Sequence, residues 1–430
     1  MCIYSKFLQM IVKKFQIILF ILIVITSCAD SELHSNKNSF SELYYSDQNG
    51  VHILSEAAKQ GGNKYLIWTA EVNPYKRSIS IVRAEQDLSR SQKVSVVANS
   101  ENAIFAINGG FFKIFDEESH LLPNKYLQKS GINPNIFPYY ALPKKTLKIN
   151  NTWYGTNATW HSAVGWNISE NKFLMDEISV TPVLTFTNNI NRRKKTLKLS
   201  AINSLSFKYP YIAYTNLWKK PIQFPNFGFL LLWNKENDHK AKIINLSEIE
   251  KKEERKFKIN NNEIIVFFKN LTDIIKFSDV SGLQIDYSIK SNSKEDWNKM
   301  DFIVAGNPLL IKDGQIQSPF PNKNFYVQKF ARSAMCKLKN GNILFATLGK
   351  GDITENVKDG ASIQIWAEIL QQKGCKVAIN LDGGGSSAFY YDKELKNKVN
   401  TTKEKSGYSD FDYYKIVTQE RFISDVIIVK

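Results

Sequence analysis

Three consecutive glycines at the end of an apolar run constrain this chain more than any other feature. Val377-Ala378-Ile379 leads into Asn380-Leu381-Asp382-Gly383-Gly384-Gly385-Ser386-Ser387, and Phe389-Tyr390-Tyr391 follows. The pattern reads as a buried strand that stops at an acid, turns through glycine and leaves through two hydroxyls. Glycine lets the backbone approach a ligand without Cβ interference and permits positive φ. Successive N–H groups in such a turn can form an anion-binding concavity. Asp382 is therefore a candidate acid, base or nucleophile. The competing reading is a tight turn with no chemistry, because short glycine motifs recur widely. A second apolar run, Ile104-Phe105-Ala106-Ile107, ends in Asn108-Gly109-Gly110-Phe111-Phe112. Two strands thus each end in a polar residue and glycines, and the expectation is that both ends meet at one cleft.

The rest of the pattern is β-rich. Lys64–Trp68, Ser78–Val82, Phe229–Trp233 and Ile264–Phe268 read as strands, and turn signals punctuate residues 162–330 at the spacing of antiparallel structure. Lys312-Asp313-Gly314-Gln315 and Lys339-Asn340-Gly341-Asn342 read as hairpin turns. A short helix fits between Gln92 and Asn102. In Ala361–Gln372, Ile363, Trp366, Ala367 and Leu370 fall at helical spacing, with Gly374 as the stop. Residues 113–160, rich in Pro, Asn, Tyr and Lys, read as a long loop region. The predicted class is α+β: one mixed, mostly antiparallel β-rich domain with a few helices over residues 50–430.

The N-terminus reads as a targeting signal. Lys6, Lys13 and Lys14 precede the largely apolar Phe15–Ile25, which is too short for a confident membrane span. Ile25-Thr26-Ser27-Cys28 resembles a bacterial lipobox, with Cys28 as the lipidated residue. The expected organisation is a lipoprotein signal over 1–27 and a polar tether over 28–49. Localisation follows as the bacterial cell envelope, held to the membrane by lipid at Cys28 and facing periplasm or exterior. Cys336 and Cys375 remain, and an exported protein permits a disulfide between them. Spacing alone leaves that pairing open.

Formal net charge is +16, and removing Lys6, Lys13 and Lys14 leaves +13. A basic envelope protein favours anionic partners such as phosphodiester glycans. Basic groups such as Arg192-Arg193-Lys194-Lys195 are dispersed and no nucleic-acid module is recognisable, so nucleic acid is not an expected partner. No histidine or cysteine spacing matches a metal site, so no metal or cofactor is expected.

These motifs, in order, resemble the phosphodiester glycosidase family: Ala106-Ile107-Asn108-Gly109-Gly110-Phe111-Phe112, Ala305-Gly306-Asn307-Pro308-Leu309, Arg332-Ser333-Ala334, Asn380–Ser387 and Glu420-Arg421. Ala201-Ile202-Asn203 and Ala213-Tyr214-Thr215-Asn216 are weaker echoes. The resemblance spans roughly residues 50–430. Arg332-Ser333-Ala334-Met335-Cys336 departs from the family's Arg-Thr-Ala-Ile-Gly, and Gly306-Asn307-Pro308 from its Gly-Gly-Pro. The resemblance implies hydrolysis of the sugar C1–O bond of a glycosyl phosphodiester, N-acetylglucosamine-1-phosphodiesters among them. Asp382 would be nucleophile or general base, and Arg332 would clamp phosphate through bidentate bonds. The Gly383, Gly384 and Gly385 amides would cradle phosphate or sugar oxygens. Asn108, Gly109, Gly110, Asn307, Ser386 and Ser387 would complete the substrate site. Glu420 and Arg421 read as a structural ion pair, and Asp352 and Glu355 as candidates for a second carboxylate. A different class uses the same cleft without chemistry: an envelope lipoprotein that binds anionic glycans.

Overall fold

The computed structural model describes residues 40–48, 50–83, 87–88, 90–115, 140–189, 192–237, 241–270, 280–349, 360–397, 401–406, 413–418 and 420–430. The signal segment, Cys28, Asp352 and Glu355 lie outside the described residues.

The two glycine motifs sit on two facing sheets. An eight-stranded antiparallel sheet runs, in order, Phe40–Gln48, Val51–Gln60, Asn63–Val72, Ile343–Leu348, Arg332–Leu338, Cys375–Asn380, Leu309–Lys312 and Gln315–Ile316. A five-stranded antiparallel sheet runs Glu394–Leu395, Phe389–Tyr391, Phe105–Asn108, Val426–Val429 and Ile79–Val82. Met335, Phe345 and Ile379 from the first pack on Phe105, Ile107, Phe389 and Ile427 from the second. On its other face the large sheet carries the helix Ile363–Gln372. Trp366, Ala367 and Leu370 of that helix pack on Ala334, Cys336 and Ala378. Ser362 caps the helix by accepting from the Ile365 N–H, and Gly374 takes φ +84° just past its end.

Side-chain parity in the strand Arg332–Leu338 follows from this layering. Ala334, Cys336 and Leu338 face the helix, and Met335 faces the small sheet. Cys336 and Cys375, on neighbouring strands, are joined by a disulfide.

Beyond this sandwich, the strands His161–Asn167, Lys172–Asn188, Val280–Ser291 and Phe302–Ala305 anchor a second, seven-stranded sheet. It packs against a smaller sheet that includes Tyr211–Tyr214, Phe229–Asn234 and Glu263–Phe268 through Ile178, Val180, Leu231 and Val266. Antiparallel β structure therefore dominates, with few helices, and both Asn-Gly and Asp-Gly hairpins form where the sequence places them.

Two expectations need correction. Phe40–Gln48, read as the end of a polar tether, is an edge strand paired with Val51–Gln60. Its Ser46 Oγ and Gln48 Nε2 lie 2.6 and 2.9 Å from the Tyr391 hydroxyl. Polar composition suits an edge strand with one solvated face as well as a tether. Within 113–160, the described residues form Phe112–Phe115, Tyr140–Pro143, Leu147–Ile149 and Thr152–Gly155. Asn150 and Asn151 take positive φ at the turn between the last two of these strands, and residues 116–139 of the expected loop lie outside the described residues.

Candidate active site

The two strand ends do meet. Asn108 Nδ2 donates to the Asp382 carbonyl at 2.8 Å, and the Asp382 N–H donates to the Gly109 carbonyl at 3.3 Å. The strand Phe105–Asn108 belongs to the small sheet and Cys375–Asn380 to the large one, so these bonds close the sandwich at one end.

Close packing explains the first glycine pair. A Cβ on Gly109 would fall 1.8 Å from Asp425 Oδ2, and one on Gly110 would fall 2.9 Å from the Ala305 carbonyl. Asp425 is buried and accepts from the Gly110 N–H at 2.8 Å. Burial raises its carboxyl pKa against the pull of the Gly110 bond and of Arg83. Arg83 is itself buried, donating to the carbonyls of Ser424 and Ala141 at 2.7 Å each. Asp425 and Arg83 were not singled out in the sequence. The available signal was a lone acid and a lone base, each adjoining an apolar strand.

Several expected substrate contacts turn out to be internal. Asn108 is buried, and its Oδ1 lies 2.8 Å from Ser333 Oγ and 3.1 Å from the Ala388 N–H. Its amide therefore staples three segments instead of facing a sugar. Ser387 Oγ lies 3.1 Å from Ser333 Oγ in the same buried cluster. The Gly383–Gly385 turn is not an open cradle either. The Gly384 N–H donates to the Ala331 carbonyl at 2.8 Å, and the Gly383 N–H bonds the Asp382 carboxylate. Gly384 has φ +60°, and a Cβ on Gly383 would meet the Ala331 carbonyl at 2.8 Å. These glycines thus serve a tight approach to the neighbouring strand. Asn307 is tied to the same end through Asn380, donating its N–H to the Asn380 carbonyl at 2.8 Å.

Arg332 does not reach this cluster. Parity puts it on the helix side of the large sheet, whereas Ser333 points at Asn108. Only 1% exposed, Arg332 donates through Nε to the Ala361 carbonyl at 2.9 Å and through Nη2 to Phe325 and Gln328 carbonyls at 3.0 and 2.9 Å. Its guanidinium also lies over the rings of Phe325 and Phe330. Burial lowers its pKa to about 10, which leaves it charged. The role expected of it, a phosphate clamp beside Asp382, is corrected to a buried fastener of the segment 325–330.

The charge beside Asp382 comes from Arg421. Its nearby guanidinium pulls the Asp382 pKa down, and its own Nε is buried without a hydrogen-bond partner. The expected Glu420–Arg421 ion pair is absent: Glu420 instead accepts from the Ser95 N–H at 2.8 Å and from Ser95 Oγ, at the start of the helix Val94–Ser100. Asp382 keeps part of its surface open to solvent, yet loss of water raises its carboxyl to about 6. Burial outweighs the Ser386 hydroxyl bond, Arg421 and the Gly383 bond, all of which favour the charged form. A carboxyl poised near neutrality, in a recess beside an unsatisfied guanidinium N–H, can act on a bond next to an anionic group.

Residues 243–430 match the family model described as phosphodiester glycosidase, which covers less than half of the chain. Over those residues the resemblance read from the sequence is borne out, and at family level it is to glycosidases acting on phosphodiesters. Asp382 and Arg421 lie within the match, and Asn108 lies outside it. No curated protein matches the chain. Among solved structures, a hypothetical protein from Synechocystis is similar at 18% identity and TM-score 0.67, over 92% of this chain and 64% of its own. The chain thus spans somewhat less than two thirds of that protein. A protein from Burkholderia pseudomallei is similar at 13% identity and TM-score 0.60, over 86% of this chain and 74% of its own. These likenesses concern the fold.

Proposed function

We propose that this chain is a hydrolase that cleaves the sugar C1–O bond of a glycosyl phosphodiester, such as an N-acetylglucosamine-1-phosphodiester, in envelope or extracellular glycans. The observation that carries the reading is the convergence of both glycine-ended strands on Asp382, with Arg421 beside it, in a chain whose C-terminal part matches phosphodiester glycosidases. The leaving group is a phosphate monoester, already stable as an anion, so the site needs anion binding more than a strong general acid. Arg421 supplies that binding, its Nε being buried without a hydrogen-bond partner beside Asp382. Asp382, mostly ionised at pH 7, is nucleophile toward the anomeric carbon or base toward water, against oxocarbenium-like charge on the sugar. Ser386 holds the Asp382 carboxylate in place.

In this reading the chain is exported and lipid-anchored at Cys28, on the outer side of a bacterial membrane. The signal-like residues 1–27 and the Cys336–Cys375 disulfide, a bond that persists in oxidising compartments, support that placement.

Hydrolysis of a panel of sugar-1-phosphodiesters in oxygen-18 water tests the reaction. The expected result is free sugar carrying the label at C1, with unlabelled phosphate monoester. Label in phosphate would mean P–O cleavage and overturn the proposal. Binding of the panel without release would favour the non-catalytic glycan-binding lipoprotein.

A further inference from the structure

A separate cavity of about 320 Å³ opens between Lys113, Lys144, Tyr154, Thr156, Asn203 and Tyr209. That volume fits a phosphorylated monosaccharide. Its chemistry is one-sided. Lys113 and Lys144 line it, and Lys208 lies close enough to repel Lys113. Burial first, then Lys208 and Lys144, lowers the Lys113 pKa. Lys145 stands behind the wall, its Nζ donating to Thr159 Oγ1 at 3.0 Å. Among the described residues, none of these lysines has a carboxylate partner. Like charges held together at a half-buried site repel unless an anion joins them.

A second observation is independent of charge. Thr156 lines the cavity, is 8% exposed, and its Oγ1 is buried without a hydrogen-bond partner. A buried hydroxyl of this kind ordinarily finds a partner. An oxygen of a bound ligand would satisfy it. The wall also suits a sugar. Tyr209 contributes a ring, and Trp160, next in the chain to the lining Thr159, is half exposed. The lining segment around Asn203 is held firmly: the Asn203 N–H donates to the Ala213 carbonyl at 2.8 Å, and its Oδ1 accepts from the Thr215 N–H at 3.0 Å. Of the two weak motif echoes, Ala201-Ile202-Asn203 lines the cavity, and Ala213-Tyr214-Thr215 holds it from behind through these bonds to Asn203.

We infer that this cavity is a binding site for the phosphate group of a phosphorylated sugar, with Lys113 and Lys144 on the phosphate and Thr156 on one of its oxygens. It uses none of the groups around Asp382, so it stands whether or not the chain hydrolyses anything.

Calorimetric titration of the full chain with inorganic phosphate, N-acetylglucosamine 1-phosphate and uncharged N-acetylglucosamine tests it. Both phosphates should bind, the sugar phosphate more tightly, and the uncharged sugar weakly. Lys113→Met should weaken phosphate binding about tenfold or more, and Thr156→Val by a few-fold, while Lys113→Arg retains it. In an Arg421→Gln background, which removes the anion site proposed beside Asp382, the Lys113-dependent binding should persist. Equal affinity in Lys113→Met and wild type, or no binding of either phosphate by the wild type, would overturn the inference. Loss of binding in Arg421→Gln but not in Lys113→Met would assign the anion to the Asp382 recess instead.

Discussion

Two arginines from the same set of motifs end in opposite situations. Around Arg332, the helix face of the large sheet supplies main-chain carbonyls, and three of its N–H bonds go to Ala361, Phe325 and Gln328. Around Arg421, Nε is buried beside Asp382 and has no hydrogen-bond partner among the described residues. The first arrangement holds a loop in place. The second leaves a cation available at a carboxyl that burial has raised to about 6. Charge and motif membership are the same in both. What differs is where the donors go: those of Arg332 are spent on main-chain carbonyls, and the Arg421 Nε has no partner among the described residues.

The comparison is broken most easily at Asp382. Asp382→Asn should lower turnover by about 10²–10⁴-fold. It should also raise the unfolding free energy at pH 7, by on the order of 1–3 kcal/mol, because an ionised carboxylate is no longer held in a recess that disfavours it. Thermal unfolding beside steady-state rates checks both parts. A purely structural aspartate would give the opposite sign in stability. Arg421→Gln should lower turnover by about 10²-fold, raise the Asp382 pKa further and cost a little in unfolding temperature at pH 7, because only the guanidinium's support of the carboxylate is lost. Arg332→Met should do the reverse. It orphans buried carbonyls and should cost about 2–4 kcal/mol in urea unfolding, with the rate per folded molecule near that of the wild type. Equal effects of the two arginine variants on rate would erase the distinction.

The smallest effect is in pH dependence. The folded Asp382 pKa lies above its ordinary value of 3.8, at about 6. Its contribution to stability is therefore fully present below about pH 3.8 and is lost as pH rises through about 6. Activity should run the other way, with kcat/KM rising through about pH 6 as the carboxylate forms. Asp382→Asn should remove this part of the stability profile.

Much of this was legible in the sequence because local rules and tertiary structure agree there. The Asn340-Gly341 and Asp313-Gly314 turns, the helix ending at Gly374 and the strands flanking both glycine motifs all follow from turn chemistry and periodicity. The meeting of Asn108 with Asp382 was also readable, since two strands with the same ending suggest a shared edge. What was not readable is how donors are spent. Nothing in Arg332-Ser333 says which neighbour faces the helix, because strand parity is set by the partner layers. Nor does Gly383-Gly384-Gly385 reveal that the Ala331 carbonyl already occupies the Gly384 N–H. The Lys113 cavity draws on segments about ninety residues apart, from Lys113 to Asn203 and Tyr209, and no local pattern announces it.

The central claim is that Asp382 does chemistry on a sugar phosphodiester at a stability cost to the fold. The most direct measurement is sugar release from N-acetylglucosamine-1-phosphodiesters by wild type and Asp382→Asn, with the unfolding temperature of each recorded in the same buffer. The account predicts that release falls by at least about 10²-fold while the unfolding temperature holds or rises. Release that persists in the variant, or that falls together with the unfolding temperature, would contradict it.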